Sequence, residues 1–409
     1  MKILWITNIL LPPISIELGI KPLPFGGWMM SALNQLSKTN DLELGVATVY
    51  NGDTLKEYHI NGVKYYLLPG KKNIEDYDSA LEQEWKKIRD IFQPDVIHIH
   101  GSEYQHGHAY INACGNENVV LSIQGIISSY SRYINAGLRS FGKSVWHPVD
   151  LIKRNTIEQI MRKWEIRGEQ EKLFLKKIKF VIGRTQWDKT HLWAINPYAR
   201  YFFCGETMRQ SFYHHKWSYT DCQPHSIFLS QAQYTIKGFH KLIEAMPLVK
   251  RAHPDVKVYI AGVNPLNSGW RKAGYRLYLE RLIKRTDTIG NLEFVGSLDE
   301  QQMLEYFLKS NVFVCPSAIE NSSNSIGEAQ LIGMPIVASY VGGNPELLDY
   351  NNECLYRFEE IEMLADRLIN IFKAEDKINV PNYSLDRYDP LKNAADLMDI
   401  YSTIATYHQ

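Results

Sequence analysis

With 409 residues the chain exceeds what one hydrophobic core usually supports, so two domains are expected. Its 45 Lys plus Arg equal its 45 Asp plus Glu, which leaves no overall field to draw in nucleic acid, and no nucleic-acid partner is expected. An apolar share of 45% with 22% charged residues fits a soluble globular protein, and no window approaches the roughly 18 apolar residues of a membrane span.

The N-terminal Met1-Lys-Ile-Leu-Trp-Ile-Thr-Asn8 has a short apolar run and no small-residue cleavage site after it, so it reads as a buried strand and not a signal peptide. From there short Ile- and Val-rich runs read as strands at Lys2–Asn8, Leu44–Val49, Asp95–His100, Val119–Ile123 and Phe180–Gly183. Amphipathic helices lie between several of them, as at Trp28–Ser37 and Ser79–Phe92. The rhythm breaks in the aromatic, His-rich stretch 205–224 and restarts with strands at Ile227–Ser230, Val256–Ala261, Leu292–Val295, Val312–Cys315 and Pro335–Ser339. Helices are expected near 238–251, 299–309, 326–332 and 360–373. Continuous apolar strands alternating with helices indicate parallel crossover units. The expected class is α/β, with two doubly wound, Rossmann-like domains facing each other across a cleft. The boundaries are 1–205, 206–385, and a C-terminal helix over 386–409 packing back on the first domain.

Residues 130–178 interrupt the alternation as a polar, mostly helical insertion assigned to the first domain. Between 139 and 179 stand eleven Lys and Arg against five acidic residues, with Trp146, Trp164 and Phe174 interspersed. Such a segment can lie against an anionic membrane surface or be a solvated helix face. The five cysteines (114, 204, 222, 315 and 354) are scattered with no CxxC pair, which suits small core residues in a reducing compartment. The expected location is cytoplasmic, with peripheral contact at the inner face of a membrane.

Chemistry concentrates in Cys315-Pro-Ser-Ala-Ile-Glu-Asn-Ser-Ser-Asn-Ser-Ile-Gly-Glu-Ala329. A strand ends at Cys315, a loop carries Glu320, and a helix opens near Ser325 with Glu328 in its first turn. Ligands of open α/β sheets bind beyond the carboxyl ends of the strands. The free N–H groups of Asn324, Ser325 and Ile326 at the helix start suit a diphosphate, and a carboxylate beside them can accept hydrogen bonds from a ribose diol. Ser325-x-x-Glu328 equally matches a capping box, in which the glutamate bonds back to its own helix start.

The pair Glu320-x7-Glu328, followed by Gly333-x-Pro335, Val337-Ala-Ser339 and Gly342-Gly343-x-x-Glu346, resembles the signature of retaining glycosyltransferase family 4. Lys237-Gly238 with Leu242-Ile-Glu-Ala245 resembles the segment that opens that family's donor domain, and Gly26-Gly27 resembles its glycine loop. The resemblance implies a GT-B fold. It also implies transfer of a hexose or N-acetylhexosamine from a nucleotide diphosphate donor to a saccharide or lipid-linked acceptor, in surface polysaccharide or glycolipid synthesis. Lys237 would neutralise the leaving diphosphate, Glu328 would hold the ribose, and Glu320 would lie by the transferred sugar. Gly26, Gly27, Gly342 and Gly343 would let backbone approach a phosphate or sugar ring. No cofactor or metal is expected, since Lys237 and the helix start take over a cation's task.

Two positions depart from the family pattern. Where an arginine usually clamps the phosphate this chain has Gln231-Ala232, and where a histidine usually follows the fifth strand it has Gln124. Arg184, directly after the strand Phe180–Gly183, is the candidate for the missing cation, the alternative being an arginine bonded to Asp188 at a helix start. His98 and His100, with His106 and His108, have spacing a metal could use, but only Glu103 accompanies them. His100 is instead a candidate acceptor contact, the alternative being a plainly structural histidine. The competing expectations are a GT-B sugar-nucleotide epimerase and a catalytically silent sugar-nucleotide-binding protein.

Overall fold

The computed structural model describes residues 1–23, 26–70, 77–138, 148–152, 154, 156–267, 273–377 and 380–407. The chain divides into two compact units, one of residues 1–128, 166–208 and 386–409, the other of 129–165 and 209–385. The linear boundaries expected from sequence are corrected at two points. The chain passes from the first unit to the second at Met208–Arg209, and residues 129–165 of the insertion belong to the second unit. The reason is visible in the contacts of that segment. Thr235 Oγ1 donates to the Ile134 carbonyl at 2.6 Å, His240 Nε2 lies 3.1 Å from the Ala136 carbonyl, and Ala136 packs with Ala318 and Phe358. The basic residues Arg139, Lys143 and Lys153, with Trp146, lie outside the described residues.

The first unit contains β1 (Lys2–Thr7), β2 (Glu43–Tyr50), β3 (Lys56–Ile60), β4 (Val63–Pro69), β5 (Val96–His100), β6 (Val119–Ser122), β7 (Phe180–Gly183) and β8 (Arg200–Phe203). They form one sheet in the order β3-β4-β2-β1-β5-β6-β7-β8, parallel except for β3. The hairpin β3–β4 turns on Asn61-Gly62, both at positive φ (52° and 80°), the conformation that two-residue hairpin turns require. Helices cover both faces, so β1, β5, β6 and β7 are buried along nearly their whole length. The helix Pro390–Ala405 belongs to this unit. Its fully buried Tyr401 accepts a hydrogen bond from Trp5 Nε1 at 3.0 Å and sits 2.6 Å from His98 Nδ1.

The second unit contains β9 (Gln223–Leu229), β10 (Lys257–Ala261), β11 (Leu292–Gly296), β12 (Ser310–Cys315), β13 (Ile336–Ser339) and β14 (Leu355–Tyr356), all parallel, in the order β11-β10-β9-β12-β13-β14. The helix Phe239–Ala252 follows β9 and buries Leu242, Ile243, Met246 and Val249 on one stripe. Each such side chain contributes about 1.5–3 kcal/mol by leaving water, and Lys250 and Arg251 in its last turn suit the negative end of the helix dipole. The winding reverses between β9 and β12. In a doubly wound sheet that is where a crevice opens for a ligand. Among the described residues no helix is long and apolar enough to cross a membrane.

Candidate functional site

The two loops that leave the reversal point of the second sheet carry the first candidate residues. Lys237 ends the loop after β9, and Glu320 lies on the loop after β12. Lys237 Nζ donates to Glu320 Oε1 at 2.6 Å, and Ser317 Oγ donates to the same oxygen at 2.7 Å. Burial acts against the lysine's charge, but the Glu320 carboxylate outweighs it and raises the Lys237 pKa, so Lys237 is a fixed cation at neutral pH. Nζ has donors to spare beyond the one given to Glu320.

Two glycines hold these loops together. Gly238 has φ +69°, and a Cβ there would fall 1.7 Å from the Pro316 carbonyl oxygen. Gly342 has φ +53°, and its Cβ would meet the Glu320 carbonyl oxygen at the same distance. Both clashes are with backbone, so neither position tolerates a side chain. Gly343 N–H then donates to the Glu320 carbonyl at 3.0 Å. The close approach expected of Gly342 and Gly343 is therefore made to the Glu320 loop of the protein itself.

The helix Asn324–Ile332 starts directly after that loop, with Ser323 as its N-cap and no side-chain cap hydrogen bond. The capping-box alternative for Glu328 thus falls away. Glu328 is 3% exposed and forms a two-pronged pair with Arg209, Nε to Oε1 and Nη2 to Oε2, both 2.6 Å. Burial raises the Glu328 pKa, while Arg209 works in the opposite direction and stabilises the carboxylate. Asn324 and Ser325 have N–H groups with no acceptor inside the helix, whereas Ile326 N–H donates to the Ser323 carbonyl at 3.0 Å. Ile326 therefore leaves the set of anion donors that sequence proposed. Ala232 is fully buried and Gln231 is uncharged. Arg209 is the cation that sequence reasoning missed, and it serves Glu328.

Arg184, His100, Gln124, Gly26 and Gly27 all belong to the first unit. Arg184 is 6% exposed. Its guanidinium pairs with Glu206 at 3.0 Å, donates to the Ile123 carbonyl at 2.9 Å and stands 5.0 Å over the Trp28 ring. Only its backbone N–H reaches Asp188, at 2.8 Å. Glu206 balances the charge that Arg184 was expected to supply to a phosphate. His100 stacks on His98 at 3.9 Å and packs against Trp5, and neither ring nitrogen has a hydrogen-bond partner. Burial holds His98 down to about 3 and His100 well below the usual histidine range, so both rings are neutral. They line a cavity of about 30 Å³ with Trp28, Arg184 and Glu206, room for water and not for a sugar ring. Gly26, at φ +84°, caps the helix Gly27–Leu36, and Gln124 is half-buried beyond β6.

Two buried carboxyls of the first unit had no assigned role. Glu171 accepts from Ser102 Oγ (2.5 Å), Ile127 N (3.1 Å) and Ser128 N (2.8 Å), and so fixes the chain that leaves β6. Glu103 accepts from Gly125 N at 3.1 Å, and burial pushes its pKa up to about 7. A carboxyl raised in the folded state stabilises it fully below the unfolded pKa, near 4.5, and loses that contribution as pH rises to about 7. Glu103→Gln should therefore flatten the fall in melting temperature between those pH values and melt higher than wild type at pH 8. Parallel pH–melting curves for the two proteins would contradict this.

His98, His100, His106 and His108 do not converge on a metal position. Among the described residues the group of three with suitable spacing is His225, His253 and Asp255, with ligand atoms within 4.8 Å of one another. It lies at the amino-terminal end of β9, whereas Lys237 lies beyond its carboxyl end.

Residues 212–383 match the family model described as glycosyl transferases group 1. Spore coat protein SA of Bacillus subtilis is 27% identical over 150 residues, 35% of this chain and 38% of that protein. A GDP-mannose-dependent phosphatidylinositol monomannoside mannosyltransferase of Corynebacterium glutamicum is 28% identical over 142 residues, 33% of this chain and 34% of its own length. The match thus spans little more than a third of these curated relatives. Over the whole chain the fold is similar to sucrose-phosphate synthase of Thermosynechococcus elongatus, with TM-score 0.64 and 15% identity, covering 100% of this chain and 97% of that one. It is also similar to Anabaena HepE in complex with UDP and glucose, with TM-score 0.61 and 16% identity, covering 98% and 100%. The fold is GT-B, two Rossmann-like α/β domains in one chain.

Proposed function

We propose that this protein, whose residues 212–383 match the family model of group 1 glycosyl transferases, moves a sugar from a nucleoside diphosphate to a saccharide or lipid-linked acceptor with retention of anomeric configuration. The observation that carries the reading is the placement of Lys237 and Glu320 on the two loops flanking the reversal point of the second sheet, joined at 2.6 Å. Breaking the bond between the anomeric carbon and the phosphate oxygen leaves an oxocarbenium-like centre and pushes negative charge onto the diphosphate. A fixed ammonium and the N–H groups of Asn324 and Ser325 stabilise that charge where it develops. Glu320 then lies by the sugar. Glu328, oriented by its two-pronged pair with Arg209, accepts hydrogen bonds from the ribose hydroxyls. Gly26, Gly27 and Gln124 remain the candidates for the acceptor side, while His100 lines a cavity too small for a sugar ring.

The solved HepE complex contains UDP and glucose, and the Corynebacterium relative is named for GDP-mannose, so these two bases come first in a panel of UDP, GDP, ADP and dTDP. At a hundredfold excess over its dissociation constant a ligand stabilises the native state by about 2.7 kcal/mol. One of the four should raise the melting temperature, and the shift should survive excess EDTA because Lys237 stands in for a divalent cation. A panel with no shift would overturn the donor reading. A shift seen only with Mg²⁺ or Mn²⁺ present would overturn its metal-free form.

A further inference from the structure

Beside the Lys237–Glu320 loops the second unit has a cavity of about 890 Å³ that none of the roles above uses. One wall comes from Ala318, Val341 and Lys241. Ala318 and Val341 are close neighbours in sequence of Glu320 and Gly342, and Lys241 lies one helical turn beyond Lys237. Arg132, Tyr133, Asn135, Ala136 and Gly137 also line the cavity, on a segment pinned to this unit by the hydrogen bonds from Thr235 to Ile134 and between His240 and Ala136. The chemistry of the lining is uneven. Arg132 and Arg357 are exposed, Tyr133 is 40% and Tyr340 50% exposed, and Glu359 is the carboxylate among them. Lys241 is engaged, bonded to Glu244 at 3.1 Å and 5.4 Å over the Phe358 ring.

Two exposed guanidiniums suit a planar or tetrahedral anion, which they can grip through paired N–H groups. Two exposed phenol rings suit the face of a sugar, offering a flat apolar surface with a polar tip. The volume admits more than one ring. We propose that this cavity is a subsite for a sugar bearing an anionic group, a carboxylate or a phosphate, on the saccharide that the enzyme extends. The proposal rests on the glycosyltransferase reading for its purpose, but binding at the cavity does not depend on turnover.

Isothermal titration of the full chain at low salt tests it with trigalacturonate as the carboxylate probe, glucose 6-phosphate as the phosphate probe and maltotriose as the neutral control. Wild type should bind one of the anionic probes and not maltotriose. The double variant Arg132→Ala/Arg357→Ala should bind that probe at least tenfold more weakly, while Arg132→Lys/Arg357→Lys recovers part of the loss. Both arginines are exposed, so melting temperature should stay at the wild-type value. Which anionic probe binds tells carboxylate from phosphate. Equal binding by wild type and the alanine double variant, binding of maltotriose as tight as that of the acids, or no binding of either acid would each overturn the subsite. The nucleotide panel on the same variant separates this from the donor reading: nucleotide binding without acid binding removes only the subsite, and acid binding without nucleotide binding removes only the donor site.

Discussion

Lys237→Ala should lower the transfer rate by a factor on the order of 10²–10³ while leaving the melting temperature close to wild type, the usual effect of removing one group that meets developing charge. The two halves of this result have separate causes. The side chains of Lys237 and Glu320 are 29% and 12% exposed, so water can make good part of what the fold loses with the pair. Glu320 keeps its hydrogen bond from Ser317 when the lysine is gone. In the proposed reaction the balance differs, because the diphosphate gains charge that Lys237 and the N–H groups of Asn324 and Ser325 would meet. Steady-state kinetics beside a melting curve measure both at once. Turnover within threefold of wild type would mean that the leaving group is stabilised elsewhere. A large drop in melting temperature would make Lys237 structural.

Arg209→Ala and Glu328→Ala should each cost about 3–5 kcal/mol of stability, since each leaves the other member of a buried, two-pronged pair without its counter-charge. Both should also lose nucleotide binding. Arg209→Ala does so indirectly, because it removes the group that orients the Glu328 carboxylate and opposes the effect of burial on its charge. The double replacement Arg209→Met/Glu328→Leu removes both charges together and should recover most of the melting temperature. It should not recover nucleotide binding. That combination distinguishes a donor-binding pair from a purely structural one, for which the double variant would bind the nucleotide like wild type. If Arg209→Ala melts with wild type and binds nucleotide as tightly, the pair has neither role.

Most strands legible in the sequence are buried from both sides, although β4, equally apolar and buried, was not among them. β1, β10 and β12 present unbroken apolar runs because helices cover both faces of a parallel sheet. The edge strands β3 and β8 carry exposed, mixed residues, and β14 is two residues long, so periodicity gave no sign of them. The Asn61-Gly62 dipeptide is the sequence sign of the β3–β4 hairpin. Within the site, Glu320 and Glu328 were legible because a loop and the helix after it keep fixed spacing. Gly238 and Gly342 were legible as glycines, while the clash each avoids was not. Arg209 was hidden because it meets Glu328 across 119 residues of sequence. Residues 129–165 were misassigned for the same reason, since the hydrogen bonds that hold them span 101 and 104 positions.

The seat of Tyr401 between Trp5 and His98 bears on how the protein is made. The first unit is sewn from three stretches of chain, and the stretch 386–409 closes it. As the chain leaves the ribosome, Trp5 and His98 emerge some three hundred residues or more before the phenol that bonds them. The second unit is complete by residue 385. Domains commonly fold as units with the N-terminal one first. Here the first unit keeps part of its core open until the helix Pro390–Ala405 is added.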